Sequence, residues 1–173
     1  MGSDGGAVEV DENFIGHDQT VKPKGRKKGR GFAHKHKVFS LVERGTGTAR
    51  TMLVNDLKAA TLVPILEANI SAEATIYTDE AEKLGDKFAE HEFVRHGRGD
   101  YARGKVTTNT VEGYFSIFKR GMKGIYQHAA KRHLHRYLAE FDFRYNTREL
   151  TDLERMKVAV RQSVGKRLRY AAV

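Results

Sequence analysis

The sequence contains no cysteine and no long apolar run. Without cysteine there can be no disulfide, no thiol nucleophile and no zinc site built on cysteine, so a metal ion would have to bind carboxylates or histidines. No apolar stretch approaches the roughly 18 residues that a membrane helix needs, and none resembles the core of a signal peptide. We therefore expect a cytoplasmic protein without a membrane partner.

The length and composition predict a single domain. A chain of 173 residues is long enough for one hydrophobic core and too short for two cores of ordinary size. Hydrophobic residues make up 39% of the chain, which is enough to fold, whereas 31% charged residues and a mean hydropathy of -0.59 predict a heavily hydrated exterior.

The positive charge is concentrated in one segment, residues 22–37. The net charge is +9, and this segment carries eight cations and no acid, which leaves the rest of the chain at +1. The cations are Lys22, Lys24, Arg26, Lys27, Lys28, Arg30, Lys35 and Lys37. Pro23 and three glycines predict a flexible arm, which could displace counterions from a nucleic-acid backbone. The alternative is a solvated loop that only aids solubility.

The pattern of apolar residues predicts a mixed α/β sheet. Alternation favours strands over 8–15, 36–45 and 48–56 as an antiparallel meander, followed by an amphipathic helix over 57–70 that Asp56 or a neighbour caps. A strand over 74–80, a short helix over 80–86 and a weaker strand over 91–96 come next, and residues 98–109 have the composition of a loop. Helical periodicity begins at Thr110 and continues over 128–146 and roughly 153–168. This order of elements is typical of a mixed sheet with flanking helices.

Acidic residues stand at three points where elements begin, end or are interrupted. Asp11 lies inside the first strand, Asp79 ends the fourth, and Glu112 begins a helix. The ends of strands and the crevice beside them form the usual site of open α/β sheets, so we expect these carboxylates to converge. Clustered carboxylates repel unless a hard cation such as Mg²⁺ neutralises them, and such a site can cleave a phosphodiester.

Each acid also has a purely structural interpretation. Asp11 could face solvent with Glu12 turned inward, because alternation along the strand does not decide between them. Asp79 could cap the following helix, and Glu112 could do no more than interact with a helix dipole.

Several segments resemble one known family. VEVDENFIG, IYTDE and TNTVEGYFSIFKRGMKGIYQH, followed by HRYLAEFDFRYNTR, resemble in the same order the catalytic core of DDE transposases of bacterial insertion sequences, in the ISXO-like subgroup. The resemblance extends from about Val8 to Arg148. It implies an RNase H-like mixed sheet, an antiparallel three-strand meander plus two parallel strands, with flanking and C-terminal helices. We expect a disordered tail over 1–7, a catalytic core over 8–148 with a basic loop over 21–37, and a basic helical tail over 149–173.

The resemblance also implies a metal site. Asp11 and Asp79 would be the first two ligands of two Mg²⁺ or Mn²⁺ ions, and Glu112 the third. Asn109 is the alternative third ligand, because members of the subgroup can carry asparagine there. Lys119 follows Glu112 at i+7 on the same helical face, from which it would contact the DNA backbone together with Arg120. The alternative is that Lys119 and Arg120 belong to an ordinary solvated face.

The function implied is metal-dependent DNA transposition. Such a protein binds the terminal inverted repeats of its element as double-stranded DNA, cuts them, and joins the exposed 3′-hydroxyl to target DNA, working as a homo-oligomer in the bacterial cytoplasm and nucleoid. Two other readings stay open: a non-catalytic DNA-binding remnant, and a metal-dependent nuclease of the same fold. Similar transposases often begin with a zinc ribbon that contains cysteines. The chain is therefore expected to be a fragment, a decayed copy, or a catalytic subunit whose end recognition lies elsewhere.

Overall fold

The computed structural model describes residues 1–16, 32, 34–79, 90–94, 107–127 and 129–166. The strands in this part of the chain are β1 (Ala7–Ile15), β2 (His36–Glu43), β3 (Ala49–Val54), β4 (Thr75–Asp79) and β5 (Glu90–Val94). The helices are α1 (Ala59–Asn69), α2 (Asn109–Gly121), α3 (Lys131–Asn146) and α4 (Asp152–Ser163), with a 3-10 turn over Ser3–Gly5 and a π-helical turn over Met122–Tyr126. The short helix predicted over 80–86 lies outside the described residues.

The strands form one sheet in the order β3-β2-β1-β4-β5. β1, β2 and β3 pair as an antiparallel meander, whereas β4 pairs in parallel with β1 and β5 in parallel with β4. The predicted mixed sheet is therefore confirmed, with β1 as its central strand.

Side-chain alternation along the central strands divides the core between the two faces of the sheet. Val8 and Val10 pack with Leu62 and Leu66 of α1 on one face. On the opposite face Val38 and Val42 of β2 pack with the residues that α2, the π-helical turn and α3 bury, which are Val111, Tyr114, Phe115, Phe118, Met122, Leu134, Leu138 and Phe141. No helix in the described part of the chain has the length and apolar character needed to cross a bilayer.

The first seven residues, predicted as a disordered tail, contact α1 and the sheet in the structure. The Met1 amine donates to the Asn69 carbonyl at 2.9 Å, and the Gly2 amide donates to Glu43 Oε1 at 2.5 Å. Gly2 has a φ of +73°, and a Cβ atom there would lie 2.4 Å from the Ala74 Cβ atom. Only glycine permits this close approach, which the glycine-rich composition of the segment does not reveal.

Two helices differ from their predicted bounds. α3 begins at Lys131 instead of residue 128, because the π-helical turn ends at Tyr126 and Gln127, with a φ of +51°, does not have helical geometry. α4 covers 152–163 instead of 153–168, and it starts with a full capping box between Thr151 and Glu154.

Side chains of α3 satisfy the outer edge of β3. Asn146 forms a two-bond clamp on Ala49: its Oδ1 accepts from the Ala49 amide at 2.6 Å, and its Nδ2 donates to the Ala49 carbonyl at 2.9 Å. One pleat further along, Asp142 Oδ2 accepts from the Thr51 amide at 2.7 Å. The edge strand thus finds on a helix the partners that a sixth strand would otherwise supply.

A buried carboxylate on β1 anchors the start of α2. Glu9 is fully buried, and Oε2 accepts from the Val111 amide at 2.9 Å while Oε1 accepts from the Thr110 hydroxyl at 2.9 Å. Oε1 also receives the Arg44 Nε at 2.5 Å. The first-turn amides of α2 have no partner inside their own helix, so the carboxylate satisfies one of them and interacts favourably with the helix dipole.

Arg44 extends the anchor to the loop before α2. Its guanidinium donates to both the carbonyl and the hydroxyl of Thr107 and lies 4.2 Å from the centre of the Tyr77 ring. Sheet, loop and helix therefore meet at one ion pair.

Removal of the Glu9 carboxylate should be the most costly single change in this region. We expect Glu9→Ala to lower the free energy of unfolding by about 3–5 kcal/mol, because Arg44 loses its buried counter-charge and the Val111 amide loses its acceptor. Urea denaturation measures the effect, and Glu12→Ala, at an exposed position of the same strand, is the control, expected within about 0.5 kcal/mol of wild type. Equal stabilities of the two variants would contradict the anchor.

Loss of the Asn146 clamp should weaken the edge strand only at Ala49. Asn146→Ala should cost about 1–3 kcal/mol, since it leaves the Ala49 amide and carbonyl without their partner. Native-state hydrogen exchange should show the Ala49 amide losing protection. The Thr51 amide, held by Asp142, serves as the internal control and should keep its protection. Protection lost equally at both amides would indicate that the whole edge opens and that the clamp is not local.

Candidate functional site

An open cleft of about 630 Å³ lies where β1 ends and the π-helical turn begins. Its described lining combines Asp11 and Glu12 with Lys35, Lys119 and Lys123. The remaining described lining residues are Asn13, Phe14, Ile15, Gly16, Phe32, His36, Met122, Gln127, Ala129 and Leu134. The cleft therefore combines carboxylates, which bind a hard metal ion, with ammonium groups, which bind a phosphate backbone.

The two neighbouring acids of β1 have different environments. Asp11 is half-buried and shares the α2 face of the sheet with the buried residues Glu9 and Asn13, whereas Glu12 is exposed. One oxygen of Asp11, Oδ1, accepts from the Glu12 amide at 2.7 Å. Of the two acids, Asp11 is thus the one directed to the helical side of the cleft.

The backbone brings positions 11 and 79 to the same level of the sheet. β1 and β4 are adjacent and parallel, and Val10 is paired with Thr78. Asp11 and Asp79 each follow one of these paired residues, so their backbones lie on neighbouring strands about 4.8 Å apart. The side chain of Asp79 lies outside the described part of the structure.

Glu112, Lys119 and Lys123 lie along one exposed face of the segment that α2 and the π-helical turn form. Lys119 and Lys123 line the cleft, and Glu112 lies two turns of helix nearer the Glu9 anchor, where it accepts from the Thr108 hydroxyl at 2.9 Å. Asn109 is the first residue of α2 and is also exposed, about 60° from Glu112 around the helix. Both candidates for the third ligand therefore remain near the start of α2.

The candidate DNA-binding cations divide into three groups. Lys22, Lys24, Arg26, Lys27, Lys28 and Arg30 lie outside the described residues. Lys35 lines the cleft with its ammonium 5.4 Å from the centre of the Phe32 ring. Lys37 instead donates to the Asn55 carbonyl at 3.4 Å, and Arg120 lines a different groove, between α2 and α3.

Sequence reasoning missed several residues that shape the site. Glu9 was overlooked because a glutamate between two valines is typical of the solvent face of a strand. Lys123 follows Lys119 at i+4, a spacing that could have identified it. The stacked rings of Phe14 and Phe32, 4.5 Å apart, form an aromatic wall of the cleft that no sequence pattern indicated.

A chain of hydrogen bonds holds α2 across the sheet. The Tyr114 hydroxyl donates to Asp142 at 2.6 Å and accepts from the Thr51 hydroxyl at 2.9 Å, and Thr51 in turn contacts the Ser40 hydroxyl at 2.9 Å. Burial raises the pKa of the Asp142 carboxyl, and burial together with the nearby Asp142 charge raises the pKa of Tyr114. These groups hold α2 against α3 and lie away from the cleft, so we assign them to structure.

The residue types at the cleft suit a hard divalent cation, because aspartate and glutamate oxygens are the ligands that Mg²⁺ and Mn²⁺ prefer. Among the side chains that the structure describes, no three acidic or histidine groups lie close enough together to hold an ion. The Asp79 side chain is not among them, so the three-carboxylate set is not tested by these side chains.

Comparison with known proteins identifies a relative by sequence and a solved structure of similar fold. Over 156 residues the chain is 32% identical to a protein of Halobacterium salinarum described as an uncharacterized protein in transposable element ISH50. The match covers 80% of this chain and 52% of the relative, so the chain spans about half the length of that protein. The structure resembles the catalytic core domain of HTLV-2 integrase, solved in complex with magnesium in a dimeric form, with a TM-score of 0.51 and 12% identity over 81% of this chain and 85% of the integrase chain.

The likeness to the integrase core confirms the predicted RNase H-like fold. The model of the ISXO2-like transposase domain matches residues 4–146, which is most of the chain. The protein therefore belongs to the family of ISXO2-like transposase domains.

Proposed function

We propose that this chain is the catalytic domain of a DNA transposase that cuts the ends of an insertion sequence and transfers them to target DNA. Asp11, Asp79 and Glu112 would hold two Mg²⁺ or Mn²⁺ ions. The observation that supports the proposal is the register of β1 and β4, in which the backbones of positions 11 and 79 follow the paired residues Val10 and Thr78. Asp11 and Lys119 both line the cleft.

The anchored helix supports the third position. Glu9 and Arg44 fix the first turn of α2 against β1, the strand that carries Asp11. A residue on the exposed face of that helix is therefore held at a constant distance from the strand, as a metal ligand requires. Glu112 occupies this face, and Asn109 is the substitute.

The bound metal would supply an activated water and stabilise the attacking and leaving oxygens of the phosphodiester. The protein's own groups would position the DNA. Lys119, Lys123 and Lys35, which all line the cleft, would neutralise the phosphates that enter it. The basic segment 22–37 would add contacts to double-stranded DNA, both to the terminal inverted repeats and to the target DNA.

A cleavage assay tests the proposed metal-dependent chemistry. On a labelled duplex that carries the inverted repeats flanking the gene, wild type should nick and then join the strand in the presence of Mg²⁺ or Mn²⁺. Asp11→Asn and Asp79→Asn should each reduce the rate at least about 100-fold while DNA binding stays intact, because they remove metal ligands but no phosphate contact.

Glu73→Gln, an exposed acid in the loop before β4, is the matched loss of one negative charge and should leave the rate unchanged. Binding without cleavage in wild type would overturn the catalytic proposal and favour a DNA-binding remnant. Cleavage without strand transfer, and without preference for the repeats, would instead indicate a nuclease of the same fold.

The choice between Glu112 and Asn109 can be made by a change of metal preference. We expect Glu112→Cys to be inactive with Mg²⁺ and to recover part of its activity with Mn²⁺, which accepts a thiolate more readily. Asn109→Cys should keep the wild-type preference. The natural chain has no cysteine, so each variant carries a single thiol. Recovery by Mn²⁺ in Asn109→Cys and not in Glu112→Cys would assign the third ligand to Asn109.

A further inference from the structure

The aromatic wall lies in the same cleft as Asp11 and Lys119. It consists of Phe14, the last residue but one of β1, and Phe32, and their ring planes differ by 13°. The Phe14 ring lies against one face of Phe32, yet Phe32 remains 40% exposed. A single exposed phenylalanine is common on protein surfaces. Here, however, a second ring supports the exposed one, and charged groups line the space around it.

The position of the wall is fixed by backbone contacts. Phe14 is paired with Lys37 in the ladder between β1 and β2, and its amide donates to Asn13 Oδ1 at 2.8 Å. The Phe32 carbonyl accepts from the Lys35 amide at 2.9 Å, which forms a turn just before β2. A flat surface held in this way loses little conformational freedom when a ligand binds to it.

The ammonium groups of the cleft are available to a phosphate. Lys35, Lys119 and Lys123 line it, and within the part of the chain that the structure describes none of the three forms an ion pair. Their three charges exceed the two of Asp11 and Glu12. The Lys35 ammonium lies 5.4 Å from the centre of the Phe32 ring, so an anion beside that ring would be near a cation.

An exposed ring and ammonium groups together are what proteins use to bind unpaired nucleotides, because the ring stacks on the base and the cations bind the backbone. A base inside a duplex has both faces covered by its neighbours and cannot stack on a protein ring. The cleft has a volume of about 630 Å³, in the range of sites that enclose one small ligand. It therefore suits a single nucleotide better than a base pair with its two backbones.

We propose that Phe32, supported by Phe14, stacks on an unpaired base at the end of the DNA that this chain binds. The identification of the ligand as DNA rests on the proposed function. Stacking needs only the flat face of a base, so this contact accepts all four bases. It holds one nucleotide away from its complement, with the adjoining phosphates beside Lys35, Lys119 and Lys123.

The test measures DNA binding without metal, so it does not depend on cleavage. Three labelled DNAs are compared by fluorescence anisotropy: a duplex with a three-nucleotide 3′ overhang, the same duplex with abasic residues in the overhang, and a blunt duplex. The first two carry equal numbers of phosphates and differ only in their bases. Wild type should bind the overhang with bases at least about 5-fold more tightly than the abasic one, the lower end of what stacking one base contributes.

Phe32→Leu should bind the two overhangs equally, because leucine is apolar but has no flat ring, whereas Phe32→Trp should keep the preference for bases. Phe143→Leu is the matched control, the same change at a half-buried position of α3 outside the described lining of the cleft, and it should also keep the preference. Circular dichroism verifies that the variants fold.

Equal binding of both overhangs by wild type would overturn the stacking proposal and leave the proposed chemistry untouched. A preference that survives Phe32→Leu would overturn it too, since the base would then stack elsewhere. Blunt duplex bound as tightly as the overhang with bases would indicate that an unpaired base is not required. Failure to bind any of the DNAs would overturn the proposed function as well. If the preference is present but cleavage is not, only the proposed chemistry fails.

Discussion

The carboxylate of Glu9 connects the central strand to the helix on which half of the candidate site is built. A fully buried carboxylate is destabilising unless hydrogen bonds and a counter-charge offset its lost hydration. Here Arg44, the Thr110 hydroxyl and the Val111 amide supply three donors. Because one of these donors is a first-turn amide of α2, the chain cannot satisfy Glu9 without fixing where that helix begins. Asp11, two residues further along the same face of β1, then lies at a defined distance from the helix.

A second constraint acts across the helix axis. Tyr114 lies one turn beyond the Glu9 anchor and bonds to Asp142 of α3 and Thr51 of β3. The core on the α1 side is apolar, whereas the core beneath α2 and α3 contains this polar chain. Glu9 holds the first turn of α2, and Tyr114 holds the next turn against α3 and β3. These two contacts leave α2 little freedom to slide or rotate. This rigidity is what a site assembled from a strand and a helix needs.

Much of the fold could be predicted because its signals are local. The strands of the meander and the helices follow from the periodicity of neighbouring residues. The parallel strands were implied by the resemblance to the family, and their register puts the backbones of positions 11 and 79 on neighbouring strands. Glu9 could not be predicted in this way, since its partners lie 35, 101 and 102 positions away along the chain. The contacts of the first seven residues could not be predicted for the same reason, because their partners Asn69 and Glu43 are distant along the chain.

The choice of the third metal ligand could not be made from the sequence either. Asn109 and Glu112 both lie in the first turn of α2 and are both exposed, so helical spacing does not separate them. The segment around Asn146 is part of the resemblance to the family, but the sequence does not indicate what it contacts. The backbone groups that Asn146 binds are almost a hundred residues away along the chain. Its role became clear only from the position of β3 at the edge of the sheet.

The clamp of α3 on that edge limits how copies of the protein can associate. A free edge strand offers a row of amides and carbonyls that any extended chain can extend, and this is the usual start of fibrous aggregation. Asn146 already occupies the amide and carbonyl of Ala49, and Asp142 occupies the amide of Thr51. At high protein concentration, this end of β3 therefore offers fewer groups to which a strand of another molecule could be added.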